Sequence, residues 1–164
     1  FGQGFQPVCG FNYGAGLNRR VRQGFWYCVK VGVIFLAICS LIGYIYAPEV
    51  VSWFRKEDPQ VIAVGAEALR WQLITLPLGA WVILCNMLLQ TIRQPRRAVI
   101  LSSSRQGLFF IPLILILPYF LQLQGVEMCQ AAADLCSFLL ALPLTIPVLK
   151  SLRIDRTPMK EENA

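Results

Sequence analysis

Histidine is absent from this 164-residue sequence, which removes the commonest general base and a frequent metal ligand. Charged residues make up only 15% of the chain, against about 25% in an ordinary soluble domain. Too few polar side chains are present to coat a globule. The six cysteines (Cys9, Cys28, Cys39, Cys85, Cys129, Cys136) contain no C-x-x-C pair. All but Cys129 lie in or beside apolar stretches, so buried free thiols are expected rather than a disulfide framework or a metal site. An initiator Met, a basic n-region and a cleavage site are also missing, so no signal peptide is read. A start inside an apolar, Gly-rich run reads as a piece of a longer chain.

What the sequence has instead is apolar length. The hydrophobic set accounts for 56% of residues and the mean hydropathy is +0.56. These residues fall in blocks, which excludes a soluble α/β or β-sandwich domain. Four blocks approach or exceed the roughly 20 residues that a helix needs to cross a bilayer: Gly24–Tyr46, Val61–Ile92, Ala98–Leu121 and Val126–Leu149. Phe1–Phe11 is too short to span and reads as the last turns of a preceding helix. In hydrocarbon every backbone group must be paired internally, so the choice lies between helices and a closed barrel. Barrel strands alternate with period two; "LFFIPLILILPYFL" does not. The expected fold is an all-α integral membrane bundle with four transmembrane helices plus the end of another. Its expected divisions are 1–23 (helix end and basic loop), 24–149 (membrane region) and 150–164 (tail).

The connectors set the expected orientation. Arg19, Arg20 and Arg22 precede the first span, Arg93, Arg96 and Arg97 separate the second from the third, and Lys150, Arg153, Arg156 and Lys160 follow the fourth. The opposite side carries only Arg55 and Lys56, beside Glu49, Glu57 and Asp58, and none in Gln122–Gly125. Ten cations against two is a positive-inside pattern that places both ends in the cytoplasm. The basic charge is thereby explained by the lipid bilayer, with no nucleic acid as partner. Trp26 and Tyr27 at the inner end, and Tyr44, Tyr46, Trp53 and Trp71 at the outer, fit interfacial belts. "EVVSWF" in the first outer loop has the mixed character of a short helix lying flat in the interface.

Charged and polar residues inside apolar spans are the usual functional pointers, because lipid penalises them. Asp134 follows Ala131-Ala132-Ala133, small residues that let another helix approach. It is read either as a structural pin or as a proton or cation relay. Asn86 and Gln90 share a helix face and, with Trp81, are candidates to line a cavity; the amides can equally bind helices together. Glu67 and Arg70 are spaced to pair, and Lys30 and Arg105 to snorkel toward the boundary. Pro77, Pro112, Pro118, Pro143 and Pro147 each remove a backbone donor and bend a helix, giving either fixed kinks or bending points. Ser102-Ser103-Ser104 has no activating base, and Gly14-Ala15-Gly16 lacks phosphate-cradle spacing. No catalytic residue, no metal site and no cofactor is expected; the chain reads as a non-enzyme.

Three strings resemble the multidrug and toxic compound extrusion (MATE) family: "GFQPVCGFNYGAGLNRRVRQ" (Gly4–Gln23), "NMLLQTIRQPRRAVILSSSRQGLFFIPLILILP" (Asn86–Pro118) and "GVEMCQAAADLCSFLLALP" (Gly125–Pro143). The resemblance implies a fold of twelve helices in two six-helix lobes. This chain would correspond to the end of the eighth helix and the ninth to twelfth. The implied activity is export of cationic amphipathic, drug-like compounds across the plasma (bacterial inner) membrane in exchange for H⁺ or Na⁺, with an N-terminal lobe as partner. Gln6, Pro7, Asn12, Tyr13, Gly14 and Ala15 would shape the turn after the eighth helix. Some branches of the family place a carboxylate midway along the tenth helix; here "TLPLGAWVILCNMLLQ" has none, so coupling would rest elsewhere. A lipid-linked sugar flippase of the same superfamily would need cations inside the cavity, whereas here they cluster at the ends. A non-transporting structural subunit is the remaining alternative.

Overall fold

The computed structural model describes residues 2–54 and 59–153. Among these, all regular structure is helical: α1 (Gly2–Gly14), α2 (Asn18–Ile45), α3 (Ala47–Phe54), α4 (Pro59–Thr91), α5 (Pro95–Ser103) and α6 (Phe110–Ser151), with a wide helical turn over Ser104–Leu108. Arg55–Asp58 and the tail cations Arg156 and Lys160 lie outside the described residues.

Glycine starts the fold. At the end of α1 the chain reverses through Gly16, whose φ is 75°. The Leu17 N–H then reaches the Asn12 carbonyl at 2.9 Å, a left-handed closure that glycine makes without a Cβ penalty. The turn after α4 closes the same way, with Gln94 N–H on the Leu89 carbonyl at 3.0 Å. There the left-handed residue is Arg93, with φ 59°. Pro95 then opens α5 at a position where its missing N–H costs nothing.

Among the described residues, three stretches are long and apolar enough to cross a membrane: Asn18–Ile45, Ile62–Thr91 and Met128–Ser151. The stretch expected as one continuous third span is divided into α5, the wide turn and the first limb of α6. The cause is local. Pro112 lacks an N–H for the Leu108 carbonyl and its ring crowds that group. The chain widens just before it, and the Phe109 N–H bonds five residues back to Ser104 O at 3.0 Å. The turn between the expected third and fourth spans falls within the predicted Gln122–Gly125. Gln122 breaks the helix (φ 51°, ψ −127°), and Gly125 lies so close to the Leu117–Pro118 peptide that a Cβ would strike the Leu117 carbonyl. The apolar–polar segment between the first two spans is helical, as α3, with Trp53 exposed.

The helix α4 is the centre of the bundle, touching α1, α2, α3, α5 and α6. The core lies around it: Phe25 of α2, Trp81, Leu84, Leu88 and Leu89 of α4, Leu101 of α5 and Val148 of α6 are all buried. Phe25 and Trp81 meet edge to face, centroids 5.7 Å apart, and Trp81 continues to Phe138 at 6.4 Å. Within α4, Pro77 leaves the Leu73 carbonyl without its usual donor, and the Ser40 hydroxyl of α2 donates to that oxygen. A neighbouring helix thus repairs the ladder. In the first half of α4, Arg70 does not pair with Glu67: its guanidinium lies over the Tyr44 ring, 5.3 Å from the centroid. Among the described residues the only ion pair within 4 Å is Arg105 with Asp134.

Candidate functional site

Asp134 lies inside the Met128–Ser151 span and is 3% exposed. Three donors from three elements converge on it. Arg105 Nε, in the wide turn, donates to Oδ1 at 2.7 Å; Gln72 Nε2 of α4 donates to Oδ2 at 3.0 Å; Gln130 Nε2, one turn earlier on α6, reaches Oδ1 at 3.4 Å. A carboxylate is tolerated at such a depth only when its charge and lone pairs are satisfied. Ala131 and Ala133 are buried beside it, so the small run brings α6 close enough for these contacts. Arg105 therefore points to Asp134 rather than snorkelling to the boundary, and it retains 34% side-chain exposure.

A second polar series lies along α4. Gln6 Nε2 of α1 donates to Gln90 Oε1 at 3.3 Å, Gln90 Nε2 to Asn86 Oδ1 at 3.3 Å, and Asn86 Nδ2 to the Ser102 hydroxyl at 3.1 Å. A cavity of about 280 Å³ is lined by Val82, Ile83, Asn86, Leu101, Ser102 and Arg105. It therefore connects the amide series with the guanidinium that holds Asp134. From Gln72 to Gln90, α4 rises roughly 27 Å at 1.5 Å per residue, close to the thickness of the hydrocarbon core. The polar groups thus mark the bundle at intervals over most of that depth.

The other sequence-derived candidates occupy different surroundings. Trp81 is in the aromatic core, 8% exposed, with no hydrogen-bond partner on Nε1 among the described residues. It does not line this cavity. Pro7 lies within α1, and Asn12 Nδ2 bonds the Val8 carbonyl at 2.8 Å. Tyr13 packs against the core, and Gly14 and Ala15 are exposed at the turn that Gly16 closes. All six cysteines are free. Sequence reasoning missed Arg105, Gln72 and Gln130 as partners of Asp134, and Ser102 as partner of Asn86. A signal existed: Arg105 and Asp134 are opposite charges isolated in the third and fourth apolar spans, and Gln130 precedes Asp134 by four residues.

Comparison with known proteins agrees with this architecture. The MatE family model matches residues 1–116, more than half of the chain. The multidrug export protein MepA of Staphylococcus haemolyticus (strain JCSC1435) is 24% identical over 159 residues, covering 97% of this chain and 34% of that protein. Two solved structures of a multidrug resistance MATE family transporter of the MOP superfamily share the fold at 17% identity. The inward-facing one has a TM-score of 0.83 over 91% of this chain and 35% of its own, and the outward-facing one 0.84 over 93% and 34%. The Vibrio cholerae MATE transporter VcmN in its bent form gives 0.80 at 17% identity, over 90% and 33%. The chain thus spans about a third of the length of the proteins it resembles. It belongs to the MatE family of multi-pass membrane transporters, which are not enzymes.

Proposed function

We propose that this chain forms most of the C-terminal lobe of a secondary multidrug transporter, which exports cationic amphipathic compounds by antiport with H⁺ or Na⁺. The observation that carries the reading is the buried Asp134–Arg105 pair, held within an apolar span and opening on a cavity lined by Asn86 and Ser102. An inert anchor has no need of a charge pair at that depth. In this reading Asp134 is the lobe's relay. A proton or cation entering through the cavity competes with Arg105 for the carboxylate, and the freed guanidinium turns to the cavity. Similar TM-scores to inward- and outward-facing relatives are consistent with a lobe that keeps its internal packing while rocking against a partner lobe. The Arg-rich connectors are cytoplasmic, the membrane region is 24–149, and substrate meets this lobe along the Asn86–Gln90 face.

The test is a chimera in which this chain replaces the matching third of the Staphylococcus haemolyticus relative, in cells lacking other efflux pumps. Ethidium efflux above the empty-vector level is expected, and Asp134→Asn should lower it at least tenfold without reducing membrane abundance. Normal insertion of the chimera with no efflux would count against the reading. The chain expressed without a partner lobe should leave dye accumulation unchanged.

A further inference from the structure

The first limb of α6 is a helix with a joint at each end. It runs over Phe110–Tyr119. The wide turn Ser104–Leu108 precedes it, and beyond it Gln122 leaves helical geometry altogether. The elements on either side are anchored. Ala98 and Leu101 bury one face of α5, Ala131, Ala133 and Ala141 seat the second limb of α6, and Ser102 of α5 accepts from Asn86. The limb between them carries no charge on any side, so its hydrophobic pattern does not fix its rotation about its own axis. The wide turn does. Phe109, Leu113 and Leu117 are half-buried, whereas Leu108, Ile111 and Leu115 are exposed. Counted back to the buried Ser104, the half-buried set is reached in five residues instead of four. Closing the turn to ordinary α geometry would pass the surplus residue on toward Gln122. The limb would then rotate by about 100° and advance about 1.5 Å, with Leu108 taking the place of Phe109 and Pro112 that of Leu113.

What keeps the turn wide is polar. Ser104 and Arg105 are consecutive, yet both reach the second limb of α6. The Ser104 hydroxyl lies 3.4 Å from that of Ser137, both side chains fully buried, and Arg105 Nε donates to Asp134 Oδ1 at 2.7 Å. Asp134 and Ser137 are three residues apart and share a helix face. Consecutive side chains splay less in an i→i+5 turn than in an α turn, so the wide geometry lets neighbours grip one face together. Of the two ties the charged one is the stronger. We propose that the wide turn is a register switch: the Arg105–Asp134 pair holds it open, and loss of the pair closes it and rotates Phe110–Tyr119 by one residue. The two registers stand on this geometry alone. Their use in transport rests on the relay role given above to Asp134.

The experiment uses the purified full chain in neutral micelles, in a cysteine-free background. A nitroxide is attached at Leu113→Cys or at Leu115→Cys, and its collision rate with dissolved oxygen is read by electron paramagnetic resonance. With the pair intact, position 115 should exceed position 113 by roughly threefold, as an outward position does beside a packed one. Asp134→Asn should reverse that order, and Arg105→Gln, which breaks the pair from the other side, should do the same. Asp134→Glu keeps the charge and should keep the native order, which separates loss of the pair from a loosened fold. Deletion of Gly107 removes the surplus residue, so an ordinary α turn then joins Ser104 to Phe109. The native order should hold in that chain, and Asp134→Asn should no longer change it. An unchanged order in both Asp134→Asn and Arg105→Gln would overturn the switch, as would a reversal that persists after the deletion. Reversal of the labels without efflux by the chimera supports the switch and counts against the relay.

Discussion

At the residue scale the decisive group is Asp134. A carboxylate in an apolar span would be destabilising alone, but here it accepts from Arg105, Gln72 and Gln130. Its removal leaves three donors without an acceptor, and one of them is a cation. Breaking a fully buried pair costs about 3–5 kcal/mol. A third of the Arg105 side chain is exposed, so solvent recovers part of this and Asp134→Asn should cost roughly 1–3 kcal/mol. Asp134→Asn together with Arg105→Gln should cost less than the two single changes added. Unfolding the single and double variants in micelles by denaturant and reading helicity checks this; strict additivity would mean that the two side chains do not act as a pair. In the sequence Asp134 stood out by its depth, whereas Arg105 read as a snorkelling residue. What turned it inward is the wide turn before Pro112, which alters the phase of the helix, and a local periodicity cannot foresee that.

At the element scale proline is repaired across helices. Pro77 deprives the Leu73 carbonyl of a donor, and Ser40 of α2 replaces it. Ser40→Ala should therefore destabilise by about 1 kcal/mol. The same change in a Pro77→Ala background should cost much less, because the restored residue 77 N–H serves the carbonyl. Thermal unfolding of the four variants in micelles gives the cycle, and an equal cost of Ser40→Ala in both backgrounds would contradict the repair. The donor missing at Pro77 was legible from the residue itself; the partner helix was not, since Ser40 is 33 residues from Leu73 along the chain. Likewise Pro112 was legible as a bend, but the i→i+5 turn that accommodates it depends on how α5 and α6 settle against α4.

At the scale of the whole molecule, α4 is the buried axis and α2 the most exposed of the three candidate spans among the described residues. The turn between α1 and α2 and the turn between α4 and α5 carry six arginines, and the proposed orientation, which follows the positive-inside pattern, has both in the cytoplasm. Introduced as single cysteines in a cysteine-free background, positions Arg20 and Arg96 should resist a membrane-impermeant thiol reagent added to intact cells and react fully once the cells are opened. Rapid labelling of either from outside would reverse the orientation. The chain corresponds to about a third of the length of its relatives, and α2 leaves most of its apolar length exposed.

The sequence alone determined that this chain is built of long apolar helices suited to a bilayer, and which connectors bear the arginines. Those properties follow from composition, glycine, proline and charge within a window of about twenty residues, the range over which hydropathy and turn chemistry act. Only tertiary structure decided that the expected third span is split in three, that Arg105 serves Asp134, that Arg70 lies on Tyr44 instead of pairing with Glu67, and that Trp81 belongs to the core. Each of those outcomes is fixed by a residue on another helix, through packing and hydrogen bonds whose partners lie tens of residues apart along the chain.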